Sequence, residues 1–180
     1  FMLNYYYSDT ISDFLEKSTE TIIGEISVNG RLGYIHTELY AWEFQISLLK
    51  DILKDFKGHL FFEFSIPRMG RRVDCILIIK NIVFVIEFKV GEKEFLNHNI
   101  EQVWDYALDL KNFHKPSHEL LLVPILVATH SKKIPLEVVF TSHNDNLTNP
   151  IRTNAENLGL TIQEVINFYQ STEEINPNEY

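Results

Sequence analysis

Two acids and a lysine at hairpin spacing are the residues of this sequence best placed to perform chemistry. Asp74 and Glu87 lie in two apolar runs that meet at Lys80-Asn81. A hairpin with a two-residue turn there pairs residues whose numbers sum to 161, which sets Asp74 directly opposite Glu87. Directly opposed residues have Cβ atoms roughly 4.5–5.5 Å apart, and two carboxylates that close repel each other unless a cation lies beside them. A divalent metal, with Lys89 two residues along the same face, would meet that requirement.

The alternation of side chains gives this hairpin one apolar face and one face with polar ends. Successive side chains of a strand point to opposite faces. The expected apolar face consists of Val73, Cys75, Leu77, Ile79, Ile82, Phe84, Ile86 and Phe88. The other face is apolar in its middle, so we expect it to be covered as well, with Arg72, Asp74, Glu87 and Lys89 gathered at the end away from the turn. A solvent-facing, salt-bridged sheet end is the alternative interpretation of these charges, because such spacings often arise by chance.

The sequence around these residues resembles the PD-(D/E)XK nuclease superfamily. Asp74 matches the first metal-binding acid of that pattern, and Glu87 and Lys89 match its (D/E)XK element. Residues 102–106 (QVWDY) match the QxxxY motif that RecB-like members carry on the helix after the lysine strand, whereas Val73 stands where proline is usual. The resemblance implies an α/β fold with a restriction-endonuclease-like core, in which a central mixed β-sheet (an antiparallel meander plus a further strand) is flanked by helices.

A closer resemblance covers most of the chain. FFEFSIPRMGRRVDCILI, FVIEFKVGEKEF, QVWDYALDLKNFH and VPILVAT are similar to the amino-terminal domain of bacterial proteins whose carboxy-terminal half is a DUF2075-type P-loop ATPase or helicase. It implies a core over residues 34–130, a helix and loop extension over 1–33, and an extension over 131–180 that leads into the ATPase domain. The sequence contains no GxxxxGK[ST] pattern, so this chain cannot hydrolyse ATP by that route.

The resemblance also implies a site for Mg²⁺ or Mn²⁺ and roles for individual residues. The expected metal ligands are Asp74, Glu87, Phe88 through its backbone carbonyl and, as a weaker candidate, Glu38. The expected catalytic residues are Asp74, Glu87, Lys89 and Gln102. The candidates for holding nucleic acid are Arg68, Arg71, Arg72, Lys93 and Tyr106. Magnesium is preferred over zinc because oxygen ligands suit it and the histidines lack zinc-site spacing.

Charge is distributed unevenly along the chain. The net charge of −9 argues against a protein that coats itself with polyanions. Residues 66–93 hold six Lys/Arg and three acids, a net +3, which leaves −12 for the remainder. Positive charge is therefore concentrated around the candidate site, where phosphates would have to be held. We expect DNA as the partner rather than RNA, and a catalytically inactive nucleic-acid-binding or protein-docking module is the alternative.

Composition predicts a soluble, cytoplasmic protein with one substantial core. Hydrophobic residues make up 45% of the 180 residues, yet no apolar run reaches the roughly 18 residues of a membrane span, and no signal peptide is visible. The single cysteine, Cys75, falls on the apolar face and indicates a reducing compartment. The sequence leaves the oligomeric state open.

Periodicity and punctuation predict the elements around the hairpin. In chain order they are a short helix from Ser8 or Thr10, a loop over 24–33, a helix over 34–57 ended by Gly58, a strand over 59–66, a helix over 94–113 and a buried strand over 120–128. A strand over 136–140, a loop over 141–157 and a helix from a capping box at Thr161 to about Gln170 are predicted beyond them. We expect the tyrosines at 5–7 to pack against the core rather than stack on bases.

Overall fold

A six-stranded mixed sheet with helices on both faces forms the body of the computed structural model, which describes residues 4–30, 36–66, 68–143, 145–169 and 177–180. The strands are β1 (Tyr7–Thr10), β2 (His59–Ser65), β3 (Arg72–Ile79), β4 (Ile82–Lys89), β5 (Leu121–Ala128) and β6 (Ile151–Thr153). They lie side by side in chain order, antiparallel from β1 to β4 and parallel from β4 to β6. The predicted α/β class, with a mixed sheet flanked by helices, is confirmed.

Helices bury both faces of the sheet. In the described residues they are α1 (Ile11–Glu16), α2 (Thr19–Gly30), α3 (His36–Ile52), α4 (Asn97–Phe113) and α5 (Leu158–Phe168). Helix α4 packs on the face that carries Ile76 and Ile78, and the other four pack on the face of Cys75 and Leu77. The order implied by the resemblance, a helix, a three-stranded meander, a helix and a strand, is present as α3, β2–β4, α4 and β5. None of the helices in these described ranges is both long and apolar enough to cross a membrane.

The amino-terminal part contains more regular structure than the sequence indicated. Residues 24–30 belong to α2 rather than to a loop, because Ile22 and Ile26 bury one face of that helix against the core and outweigh its glycines. Residues 31–33 of the predicted loop lie outside the described residues. Tyr7 is buried within β1, and the Tyr5 ring lies 5.2 Å from that of Phe61, so packing of the tyrosines against the core is confirmed.

Helix α3 ends at Ile52, well before the predicted end at residue 57, and Gly58 does not cap it. Gly58 instead allows a close approach between neighbouring backbones. A Cβ at this position would run into the carbonyl oxygen of Ile78, and the Gly58 carbonyl accepts the N–H of Ile11 at 2.9 Å. The predicted start of this helix, residues 34 and 35, lies outside the described residues.

The predictions for the carboxy-terminal part are only partly right. The strand predicted over 136–140 does not join the sheet, and the strand β6 forms inside the predicted loop. The last helix begins at Leu158, and Thr161 lies within it, where its hydroxyl donates to the Asn157 carbonyl at 2.9 Å. The predicted capping box is therefore wrong. Helix α4 likewise begins at Asn97, a little after the predicted residue 94, whereas the buried strand predicted over 120–128 is confirmed as β5.

Candidate active site

The β3–β4 hairpin has the predicted register. Its paired residues sum to 161 from Ile79–Ile82 to Cys75–Ile86. One step further, the backbone ladder stops, and side chains take over the contacts between the strands. The Phe88 N–H donates to Asp74 Oδ2 at 2.8 Å, and the Asp74 N–H donates to Glu87 Oε2 at 3.4 Å. The two carboxylates therefore meet at the end of the hairpin, as predicted, but they replace a ladder pair rather than extend it.

A distortion of β2 beside Asp74 accounts for this change. Glu63 is level with Asp74 in the β2–β3 register, between the pairs Phe62–Cys75 and Phe64–Val73, and it has φ of 53°. A positive φ is uncommon for a residue other than glycine. It shifts the alternation of the strand, so that Phe64 and Val73 pack on the α4 face. The predicted position of Val73 on the Cys75 face is therefore wrong, since simple alternation of side chains does not anticipate such a reversal.

Glu63 itself faces α3 and contributes to the charge at this end of the sheet. Its Oε1 accepts the indole N–H of Trp42 at 3.0 Å. Burial raises the pKa of the Glu63 carboxyl, and the negative charges of Glu87 and Glu38 raise it further, against the opposing effects of Trp42 and Arg72. In the sequence Glu63 is a lone acid among phenylalanines, a pattern that does not indicate which face of the sheet its side chain occupies.

The surroundings of the paired carboxyls disfavour two negative charges. Burial raises the pKa of Asp74 well above its ordinary value, and the charges of Glu87 and Glu63 add to that effect. Burial also raises the pKa of Glu87, whose side chain is almost inaccessible, although Lys89 partly opposes the shift. Two neighbouring carboxyls in such surroundings favour a shared proton or a bound cation over two free negative charges.

A chain of polar contacts joins Glu87 to α4. Lys89 Nζ donates to Glu87 Oε1 at 3.1 Å and to Gln102 Oε1 at 2.9 Å. The Gln102 amide in turn donates to the Tyr106 hydroxyl at 2.7 Å. The four predicted site residues Glu87, Lys89, Gln102 and Tyr106 therefore form one network. Glu87 and Lys89 lie two residues apart on the same face of β4, and Gln102 and Tyr106 lie four residues apart on one side of α4.

Tyr106 has a narrower role than the sequence analysis allowed. Its ring is only 2% exposed and packs between α4 and the sheet, so it cannot stack on a base. Burial and the charge of Glu87 raise the pKa of its phenol to about 12, so the hydroxyl stays protonated at neutral pH. The role of Tyr106 is therefore to fix the orientation of Gln102, whose amide donates to its hydroxyl.

The basic candidates surround the paired carboxyls without forming a single cluster. Arg72 donates from Nη1 to the Glu63 carbonyl at 2.8 Å, and its guanidinium lies over the Tyr6 ring. Arg68 is exposed and lies over the Phe113 ring. Arg71 is exposed close enough to Tyr106 for its charge to lower the pKa of that phenol, and Lys93 is exposed in the connection between β4 and α4.

The donor set fits magnesium better than a metal held by protein ligands alone. In the described part of the chain no group of three or more His, Cys, Asp or Glu side chains is placed to hold a metal ion, and Glu38 is exposed on α3. Magnesium, however, binds through one or two carboxylates and completes its shell with water and substrate phosphates. Asp74 and Glu87 supply that number of hard oxygen donors, and their excess negative charge would be relieved by a divalent cation.

No protein-family model, curated protein or solved structure matches this chain. The geometry of the site and the sequence resemblance therefore carry the functional argument.

Proposed function

We propose that this chain is a Mg²⁺-dependent nuclease domain that hydrolyses phosphodiester bonds in DNA, as part of a larger cytoplasmic protein with an ATPase or helicase domain. The observation that carries the proposal is the pair of carboxyls at the end of the hairpin, the buried Glu87 and the half-buried Asp74, with Lys89 hydrogen-bonded to Glu87 and to Gln102. A structural salt bridge needs one acid and one base. Here a second acid lies beside the pair, a placement that costs free energy and is typical of sites that bind a cation.

Each residue of the network has a part in the proposed reaction. Asp74, Glu87 and the Phe88 carbonyl would hold Mg²⁺ or Mn²⁺. When bound, the metal would lower the pKa of a coordinated water and offset negative charge on the phosphate. Lys89 would position the attacking water and stabilise the developing charge. Gln102 keeps the Lys89 ammonium directed at the carboxyls, and Tyr106 fixes Gln102.

The alternative is a catalytically inactive module that binds nucleic acid or docks a partner. The net charge of −9 favours the docking role within this alternative, because a nuclease or a nucleic-acid-binding module must keep a polyanion close to its surface. An inactive module, however, would have no reason to keep two acidic side chains next to each other at the end of the hairpin. Binding of Mg²⁺ at the paired carboxyls therefore separates the two.

Two measurements test the proposal. Isothermal titration calorimetry with Mg²⁺ and Mn²⁺ should detect a site that Asp74→Asn and Glu87→Gln each abolish, since these substitutions keep the shape and remove the charge. Gel assays on single-stranded, duplex and branched DNA, and on RNA, should then show metal-dependent cleavage that Asp74→Asn and Lys89→Met abolish. Lys57→Met, just before β2 at the opposite end of the sheet, is the matched control for Lys89. Cleavage that persists in the Asp74→Asn and Lys89→Met variants would overturn the assignment, and metal binding without cleavage of any substrate would favour the inactive module.

A further inference from the structure

We propose that the end of the sheet with the paired carboxyls binds an unpaired nucleic-acid strand, whose bases stack on arginine side chains that lie over aromatic rings. This inference rests on the proposed nuclease function and names its substrate class. Three pairs carry it, and none of them is part of the Glu87–Lys89–Gln102–Tyr106 network. The guanidinium carbons of Arg72, Arg68 and Arg152 lie 4.1, 4.4 and 5.9 Å from the ring centroids of Tyr6, Phe113 and Phe95, respectively.

The pairs flank the carboxyls along one row of the sheet. Glu87 is level with Leu126 of β5, which is level with Arg152 of β6. Towards β1, the row continues from Glu87 to Asp74 of β3. Asp74 is level with Glu63 of β2, and Glu63 is level with Tyr6, the residue before β1. Five strand spacings of about 4.8 Å make this row roughly 24 Å long. The row thus has carboxylates at its centre, with the Arg72–Tyr6 pair towards one end, on the α3 face of the sheet, and the Arg152–Phe95 pair at the other end.

The third pair lies above this row, on the α4 side. Arg68 belongs to the connection between β2 and β3, and Phe113 is the last residue of α4. Both side chains are accessible, with Phe113 45% exposed. A strand that reaches the carboxyls past α4 would meet this pair.

The arrangement suits unpaired bases better than a duplex. A guanidinium that lies on a ring is held with its second planar face outward, and such faces stack on bases that are not stacked on each other. In a duplex the bases are occupied by their neighbours, and the protein meets mainly phosphates. Flexible lysines would serve a phosphate surface, whereas the guanidinium carbons of Arg72 and Arg68 lie 4.1 and 4.4 Å from the centroids of their aromatic rings.

The charges around Arg68 also favour stacking on a base over contact with a phosphate. Asp105 and Asp109 lie on the adjacent part of α4, and the pKa of Asp109 is raised by burial and by Asp105, with Arg68 opposing. Acids beside Arg68 repel a phosphate placed there. A base is uncharged and meets no such penalty, so Arg68 is better suited to stacking than to holding the backbone.

The test compares binding of single strands and duplexes under conditions that prevent cleavage. Fluorescence anisotropy in EDTA would use a fluorescein-labelled oligothymidine, an oligouridine and a DNA duplex of equal length. Arg68→Lys and Arg152→Lys keep the charge and remove the planar face. Lys57→Ala removes a charge at the opposite end of the sheet and serves as the control.

The expected result is tighter binding of the single strands than of the duplex. Each lysine variant should weaken single-strand binding about 5-fold or more, the lower end of what one stacked base contributes, and leave duplex binding as it is. Comparison of the oligothymidine and oligouridine arms identifies whether the strand is DNA or RNA.

Two binding results would overturn the inference: a preference for the duplex, or single-strand affinities unchanged in both lysine variants. Metal-dependent cleavage of duplex alone would also overturn it while leaving the proposed nuclease function intact. Single-strand binding that depends on Arg68 and Arg152 without cleavage would support this inference and contradict the nuclease function.

Discussion

Lys89 joins the sheet to helix α4, because its ammonium lies 3.1 Å from Glu87 Oε1 and 2.9 Å from Gln102 Oε1. The ammonium is therefore held by one charged and one neutral acceptor. Glu87 alone would fix only its distance from the carboxyls, and the second contact fixes its direction. Gln102 is thus a positioning residue for the lysine of the proposed reaction.

Loss of Gln102 should reduce catalysis more than substrate binding. Gln102→Ala leaves the Lys89–Glu87 ion pair but frees the ammonium to rotate, so we expect kcat to fall about 10- to 100-fold with KM nearly unchanged. Steady-state cleavage assays on a labelled oligonucleotide measure both constants. Gln163→Ala is a matched control, since Gln163 is exposed on α5 and its side-chain amide donates to Asn167 Oδ1 at 2.9 Å. A Gln102→Ala enzyme with the wild-type kcat would contradict the positioning role.

Removal of the Tyr106 hydroxyl should weaken the network without opening the core. Tyr106→Phe keeps the buried ring and deprives the Gln102 amide of its acceptor, which should cost about 1 kcal/mol of unfolding free energy. Tyr106→Ala also leaves a cavity and should cost about 3–5 kcal/mol. Urea denaturation measures both values. Equal losses in the two variants would mean that the ring contributes nothing beyond its hydroxyl, contrary to its burial.

Without a divalent cation, the stability of the protein should fall as pH rises from the acidic range. The pKa values of Asp74, Glu87 and Glu63 are all raised by burial in the folded state. Their protonated forms are therefore favoured by folding, and the stability they contribute is fully present below the ordinary carboxyl pKa of about 4. It is lost as pH rises through their raised values.

Melting temperatures measured against pH in EDTA test this dependence. Asp74→Asn should flatten the profile, because an amide does not ionise. Added Mg²⁺ should raise the melting temperature of the wild type most at neutral pH, where the cation no longer competes with protons. Parallel profiles for wild type and Asp74→Asn would contradict the raised pKa of the pair.

Gly58 should be essential for stability and Gly24 dispensable. Gly58→Ala places a methyl group against the Ile78 carbonyl oxygen and should cost about 1–3 kcal/mol of unfolding free energy. Gly24 lies in α2, where, among the residues that the structure describes, nothing beyond the adjacent helix backbone comes within 4 Å of the position of an added Cβ. Gly24→Ala should therefore stabilise the protein by about 0.5–1 kcal/mol. Urea denaturation of the two variants provides the comparison, and a stable Gly58→Ala protein would show that β2 and β3 can move apart at that point.

The sequence by itself determined the hairpin and the residues at its end. Two apolar runs around a two-residue turn admit one register that buries both faces, so the pairing of β3 with β4 followed from local pattern. The four-residue spacing of Gln102 and Tyr106 likewise placed them on one side of α4. Both are short-range relationships, in which the covalent geometry of a strand or helix sets which side chains are neighbours.

Only the tertiary structure decided how the end of the hairpin is closed. Glu63 has a positive φ where β2 lies beside Asp74. The Phe88 N–H of β4 donates to Asp74 of β3, and Lys89 of β4 donates to Gln102 of α4. All three features depend on how different elements pack together. The same holds for β6, whose three residues are too short to give a periodic signal and form a strand because β5 offers them a free edge. Such contacts depend on how elements pack, and the packing energy of the whole sheet outweighs the local preferences that the sequence displays.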